Sequence, residues 1–352
     1  MFGEFIGDCG IKSVAVFFVS LLLSFFFAPV LWSHSTKRGF TAKPNHRSSH
    51  DHFVPNTGGI LLFFSITIPL LLFSDIRVTS NFIFIVIAFI SLFVVGFLDD
   101  LRNVSVKVKL LGQFIPAIFL ILSLYHHNLV VPYFISSTEW PELLKVAIWV
   151  IAIVGIINAY NFIDGIDGLA IGLGFVGGVL FGFFFYAKGY CNLSILSFSF
   201  TGGLAGLLKQ NISREKKIFI GDTGSLIIGG ILSFFILRLL EISPNEDLNF
   251  SSSMVFGILF IPLSDLIRIV FIRMFNGKSP FSADRNHVHH IIMDAYSLSH
   301  RRTSAILISL QCIIFLVFLL FNEIFQRGQI LLSVGLLFVY VAVLQHISKK
   351  RI

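Results

Sequence analysis

Apolar residues run through this chain in long unbroken blocks, and polar residues come in short clusters between them. The blocks lie near 11–32, 58–73, 81–98, 108–124, 143–157, 168–187, 191–208, 218–239, 254–272, 303–321 and 329–346. A helix needs about 17–25 mostly apolar residues to cross about 30 Å of hydrocarbon, and most blocks approach or reach that length. The pattern predicts an all-α polytopic membrane protein with eleven transmembrane helices. A cleaved leader is the rival reading for the first block, but its apolar stretch is too long and no small-residue cleavage site follows it. No fixed-period repeat or low-complexity stretch interrupts the pattern. Residues 1–352 are therefore read as one membrane domain, with polar segments at 33–57 and 274–302.

Composition agrees. The chain is 55% hydrophobic and 13% charged, with 42 Phe, whereas soluble domains are about one-quarter charged. The three cysteines, Cys9, Cys191 and Cys312, have no paired spacing, so they suggest neither a metal site nor a disulfide framework. Net charge is +7, and its distribution argues for topology rather than nucleic acid. If the N-terminus is outside, the inner loops hold Lys37, Arg38, Lys43, Arg47, Arg102, Lys107, Lys109, Lys209, Arg214, Lys216, Lys217, Arg273, Lys278, Arg285, Arg301 and Arg302. The opposite side holds Glu139, Glu142, Glu241, Glu246 and Asp247. Basic residues favour the cytoplasmic side, which predicts N-out, C-in. The outer loop with His126, His127 and Tyr133 reads as wetted interface.

With that orientation, the strongly polar junctions fall at one depth on the inner face. FVVGFLDDLR ends a span in Asp99 and Asp100. NAYNFIDGIDGLA supplies Asn158, Asn161, Asp164 and Asp167, and IFIGDTGS supplies Asp222. PLSDLIRIVFIR carries Asp265 and Arg268, and RNHVHH follows in the next loop. Asp164 and Asp222 could each cap a helix, and Asp265 with Arg268 could be an ion pair between helices, but ionisable groups in membrane segments are functional candidates by default. Mg²⁺ prefers oxygen ligands and is commonly held by one or two carboxylates plus substrate phosphates. Basic residues beside such carboxylates suit phosphoryl transfer, which depends on positioning and charge stabilisation. His287, His289 and His290 read as phosphate-facing donors; without Cys or an HExxH spacing they make a poor zinc site. A cation- or proton-coupled secondary transporter is the alternative class, but such proteins keep their coupling residues near the midplane of paired repeats. An intramembrane aspartyl protease would need two Asp at bilayer depth.

Taken together, NHRSSHDHFVPNTGG, GFLDDLRNVSVKVKLLGQ, NAYNFIDGIDGLA, IFIGDTGSL, PLSDLIR and SPFSADRNHVHHII resemble the polyprenyl-phosphate N-acetylhexosamine-1-phosphate transferases. The resemblance covers most of the chain. It implies Mg²⁺-dependent transfer (Mn²⁺ as substitute) of an N-acetylaminosugar 1-phosphate, GlcNAc by default, from a UDP-sugar to undecaprenyl phosphate, releasing UMP. The reaction would start a lipid-linked surface glycan such as O-antigen, at the cytoplasmic face of a bacterial inner membrane, and a homodimer is allowed. By the same resemblance Asp99, Asp100, Asp164 and His289 form the catalytic set, and Asp222, Asn161 and Asp164 the metal set. Asp167 and Phe219 would meet the uracil, while Lys107, Lys109, Arg285, His287 and His290 would meet phosphate. The H-x-H-H run matches the hexosamine branch rather than the muramoyl-pentapeptide branch. Asn56 departs from the pattern, since no basic residue stands there, and this puts contacts by the first inner loop, His50 included, in question.

Overall fold

The computed structural model describes residues 2–38, 41–42, 54–75, 79–124, 140–242, 248–280, 285–321 and 329–348. Lys43, Arg47, His50, His126, His127, Tyr133, Glu139, Glu246 and Asp247 lie outside the described residues. The described chain is almost entirely helical: α1 (Phe2–Arg38), α2 (Gly58–Phe73), α3 (Ser80–Arg102), α4 (Val106–Leu122), α5 (Glu142–Ile163), α6 (Leu169–Ala187), α7 (Cys191–Asn211), α8 (Gly221–Ile242), α9 (Leu248–Phe275), α10 (Val288–Tyr296), α11 (His300–Leu320) and α12 (Gln329–Ser348). A two-residue antiparallel ladder, β1 (Thr41–Ala42) with β2 (Val54–Pro55), closes the loop after α1.

Each of the eleven predicted blocks is helical. Eight helices among the described residues are long and apolar enough to cross a membrane; α2, α4 and α12 are not among the eight. Helix α10, inside the predicted ninth loop, is an addition. Its nine residues are too few to stand out from a polar loop by periodicity. The sequence suggests one domain, whereas the chain clusters into two compact units: Met1–Gln113 with Ile171–Ile228, and Phe114–Ala170 with Gly229–Ile352. Each unit draws on two separated stretches, which no local pattern reveals.

In the first unit α1 packs along α7, and α2 lies against both. Side chains explain why α1 turns one face in. Ser13, Ser20 and Ser24 are buried, while Val14, Phe18, Leu22 and Phe26 stand out at successive helical turns. Lipid offers apolar side chains as much as a neighbouring helix does, so such interfaces rely on small residues and interhelical hydrogen bonds. Here Ser13 Oγ lies 3.1 Å from Ser194 Oγ, and Ser20 Oγ lies 2.8 Å from Ser199 Oγ. Gly202 brings α7 against the Phe17 carbonyl, where a Cβ would overlap it.

The N-terminal ends of these two helices are joined covalently. Cys9 and Cys191 form a disulfide with Cα atoms 5.5 Å apart. The sequence reading found no such pair, because 182 residues separate them and only the packing of α1 on α7 brings them together. At the same end Lys12 pairs with Asp8 at 2.9 Å and with Asp75 at 3.5 Å.

In the second unit α9 packs on α5, α11 and α12, and α10 on α11 and α12. Buried Gln311 of α11 is inserted into the backbone of α9. Its Oε1 accepts from Ile261 N–H at 3.0 Å, and its Nε2 donates to the Gly257 carbonyl. Those two groups are an i, i−4 pair next to Pro262, where the helix has also lost a donor; the inserted amide re-satisfies the opened ladder.

The disulfide yields a direct test. Denatured, unreduced protein should expose one thiol, Cys312, to a maleimide–polyethylene glycol, and three after reduction. Three modified thiols without reductant would show that Cys9 and Cys191 are not joined.

Candidate active site

Helix α3 ends in the adjacent carboxylates that the sequence singles out. Asn103 closes it in the left-handed region (φ 51°), its N–H bonded to the Asp99 carbonyl at 2.8 Å, so Asp99 and Asp100 sit on the last helical turn. Successive helical residues point about 100° apart, and the two side chains do different work. Asp100 faces the start of α8. Its Oδ1 accepts from the Asp222 N–H at 2.8 Å, and its Oδ2 accepts from the Thr223 N–H at 2.9 Å and from Thr223 Oγ1 at 2.5 Å. Asn56 Nδ2 adds a fourth donor, 2.5 Å from Oδ1. A carboxylate in this position satisfies the first N–H groups of α8 and opposes the positive end of its dipole. Asp100, grouped with the catalytic residues by resemblance, accepts from the first turn of α8 and from Asn56. Gly221 makes the approach possible: its φ is +67°, and a Cβ there would run into Asp100 and Asn56.

Asp99 is buried and meets Lys109 instead. Lys109 Nζ lies 2.8 Å from Asp99 Oδ2 and is also paired with Asp222 Oδ1. The ammonium therefore sits between two carboxylates, one at the end of α3 and one in the first turn of α8. Lys107 is exposed; two residues earlier on the same helix, it points away from Lys109. Phe219 is held just ahead of α8 by backbone bonds to Pro55 and Gly58, both 2.9 Å. Lys217 Nζ lies 5.0 Å from the centroid of its ring. All of these residues belong to the first unit.

A second group forms within the other unit. Asp164 caps the C-terminus of α5, and Asn161 is half-buried on its last turn. Asp167 Oδ2 lies 3.1 Å from His300 Nδ1, and Ser304 Oγ donates to the Asp167 carbonyl at 2.7 Å; both partners are on α11. The His run packs against the same turn. His287 lies 5.6 Å from Phe162, centroid to centroid, and His289 fills the space that a Cβ on Gly165 would need. The His287 and His289 rings are parallel at 5.6 Å, and His290 is 4.3 Å beyond His289. His289 is fully enclosed, and neither ring nitrogen has a hydrogen-bond partner. Burial, with His290 and His287 alongside, holds its imidazole well below the ordinary histidine range, so it stays neutral at pH 7. Arg285 is exposed, 3.4 Å from Asp294. Asn56, Thr223, His300 and Ser304 complete these groups, and the sequence reading gave none of them a role. Of the four, only Asn56 drew notice, as a departure.

Among the described residues no three His, Cys, Asp or Glu side chains converge as a metal cage. Mg²⁺ needs no such cage where substrate phosphates complete its shell. The pair Asp99 and Asp222, already shared by one cation, is the oxygen set that fits it.

Two carboxylates share a lysine at helix ends in a many-helix apolar chain. Comparison gives the family. The family model described as "Glycosyl transferase family 4" matches residues 82–240. A probable undecaprenyl-phosphate N-acetylglucosaminyl 1-phosphate transferase of Bacillus subtilis (strain 168) is 32% identical over 346 residues, covering 96% of this chain and 92% of the relative. The undecaprenyl-phosphate alpha-N-acetylglucosaminyl 1-phosphate transferase of Escherichia coli (strain K12) is 31% identical over 293 residues, 80% of this chain and 76% of the relative. The chain belongs to glycosyl transferase family 4, among the polyprenyl-phosphate N-acetylhexosamine-1-phosphate transferases, and is a multi-pass membrane protein.

The capping role of Asp100 has a measurable consequence. Asp100→Ala should cost about 0.5–2 kcal/mol, the usual range for a lost N-cap. Detergent-purified protein should then melt lower than wild type, whereas Asp222→Asn should melt close to wild type. An unchanged midpoint for Asp100→Ala would remove the cap.

Proposed function

We propose that the protein transfers an N-acetylaminosugar 1-phosphate, GlcNAc-1-phosphate first among them, from a UDP-sugar to undecaprenyl phosphate, releasing UMP. The sugar and the lipid acceptor follow the names of the relatives. The observation that carries the reading is the Asp99–Lys109–Asp222 group, with Asp222 fixed by Asp100. In the reaction an oxygen of the acceptor phosphate bonds to the phosphorus that bears the sugar, and the bond from that phosphorus to the UMP oxygen breaks. A phosphate monoester has its second pKa near about 6, so the acceptor is largely dianionic at neutral pH and needs no strong base. Asp99 orients this nucleophile and takes any residual proton. Lys109 turns from the carboxylates toward phosphate oxygens. Mg²⁺, held by Asp222 with Asp99, would supply the remaining charge neutralisation. Phe219 offers a flat face to the base of the nucleotide.

The reading extends to orientation. Disulfides persist in oxidising, extracytoplasmic surroundings, which suits Cys9 and Cys191 at the N-terminal ends of α1 and α7. The carboxylate group lies toward the other end of α1, linked through Asn56 and its neighbour Thr57, whose Oγ1 is 3.4 Å from Ser35 Oγ. Lys37 and Arg38 close α1 there and Lys209 lies in the last turn of α7, in keeping with a cytoplasmic location for that end. The transfer would then begin a lipid-linked surface glycan on the cytoplasmic side of the inner membrane. A coupled transporter, the other class considered, has no observation in its favour.

Membranes containing the protein, given radiolabelled UDP-GlcNAc, undecaprenyl phosphate and Mg²⁺, should move label into butanol-extractable lipid, and Asp222→Asn should abolish this. Near-normal turnover in that variant would place the metal elsewhere. Labelled UMP should not exchange into UDP-GlcNAc without lipid phosphate; exchange under those conditions would replace direct attack by a covalent Asp99 intermediate.

A further inference from the structure

Asp265 lies deep in α9, 1% exposed, with Arg268 one turn on at 6%. An ion pair between them, 2.8 Å from Arg268 Nη2 to Asp265 Oδ1, would suffice to neutralise two buried charges. The carboxylate does more. Its Oδ2 lies 2.8 Å from His287 Nδ1, and its Oδ1 accepts from the Val288 N–H at 3.0 Å. Arg268 also donates to the Asn286 carbonyl. Both members of the pair therefore reach across the sequence, Asp265 over 22 residues and Arg268 over 18, to the entrance of α10, whose cap residue His287 makes no capping bond with its own side chain.

The three imidazoles of the run differ. A histidine whose Nδ1 is held by a carboxylate keeps its proton there when neutral, which fixes the tautomer and ring plane and leaves Nε2 for another partner. His287 has this arrangement. A doubly protonated ring donates from Nε2 as well. His289 has no carboxylate and no hydrogen-bond partner, and packs under Gly165.

We propose that Asp265, steadied by Arg268, is a positioning residue for His287, fixing the ring through Nδ1 and holding Nε2 for the phosphate contact that the resemblance already gives this residue. This rests on the transferase reading above. It gives the buried acid of α9 a function beyond joining helices, and moves the functional weight of the run from His289 to His287.

A double-mutant cycle separates positioning from scaffolding. In the UDP-GlcNAc transfer assay on purified full-length protein, His287→Asn and Asp265→Asn should each lower kcat/KM by about tenfold to a hundredfold, the range for loss of a histidine's orienting partner. The loss should fall mainly on kcat. Combined, they should be no worse than His287→Asn alone, within about twofold, because Asp265 acts through that ring. Additive losses, or an Asp265→Asn enzyme with wild-type kcat, would overturn the proposal. Asp265→Asn leaves Arg268 as an unpaired buried charge, so folding must be checked by detergent size exclusion. If that variant does not fold, Arg268→Gln becomes the background for all four corners of the cycle, and the same two outcomes decide. A wild-type enzyme that transfers nothing would overturn the transferase reading and this inference together; an active wild type with an additive cycle would overturn only the latter.

Discussion

The arrangement of the first unit depends on one carboxylate meeting one helix start. The first N–H groups of a helix have no partner within it, and at the edge of an apolar bundle water is a poor substitute. Asp100 supplies the acceptors, and in doing so it sets where α8 begins, which way Asp222 points, and why a glycine with positive φ precedes it. The adjacent acid Asp99 is thereby left for the ammonium of Lys109. Two neighbouring like charges are tolerable because each is compensated by a different kind of positive group, one a row of peptide dipoles and the other a side chain.

The second unit solves the same problem differently. Asp265 and Arg268 are buried as a pair, which avoids the large cost of a lone buried charge, and their remaining hydrogen-bonding capacity goes to the start of α10. In both units an acid on one helix accepts from the first N–H groups of another, Asp100 at α8 and Asp265 at α10. Polar groups in an apolar setting must be satisfied, and here that requirement also positions the chemistry.

The block pattern of the sequence was enough to locate eleven helices, because an apolar run of that length has few other uses. The division into two units and the partner of Cys9 were not legible, since both depend on contacts between distant stretches. At the site, the sequence marks which acids cluster near helix ends but not which lone pairs are spent. Asp99 and Asp100 look equivalent in DDLR, and only geometry separates a helix cap from a group facing a lysine. In the same way, HVHH shows three interchangeable rings until one is found against a carboxylate and another enclosed against Gly165. Asn56 could be noticed only as a residue where a basic one was expected; its link to Asp100 needed the fold.

The pairing of α1 with α7 also bears on how the chain is made. A growing polypeptide delivers α1 to the bilayer well before α7, the helix that receives its row of serines, with α2 to α6 made in between. Those hydroxyls must turn back on their own backbone, as Ser and Thr can within a helix, or find a temporary companion until α7 arrives. The Cys9 thiol, too, must survive alone through the synthesis of 182 further residues. Assembly of this unit therefore waits on α7, and α1 is locked in place only after the helices between them have been made.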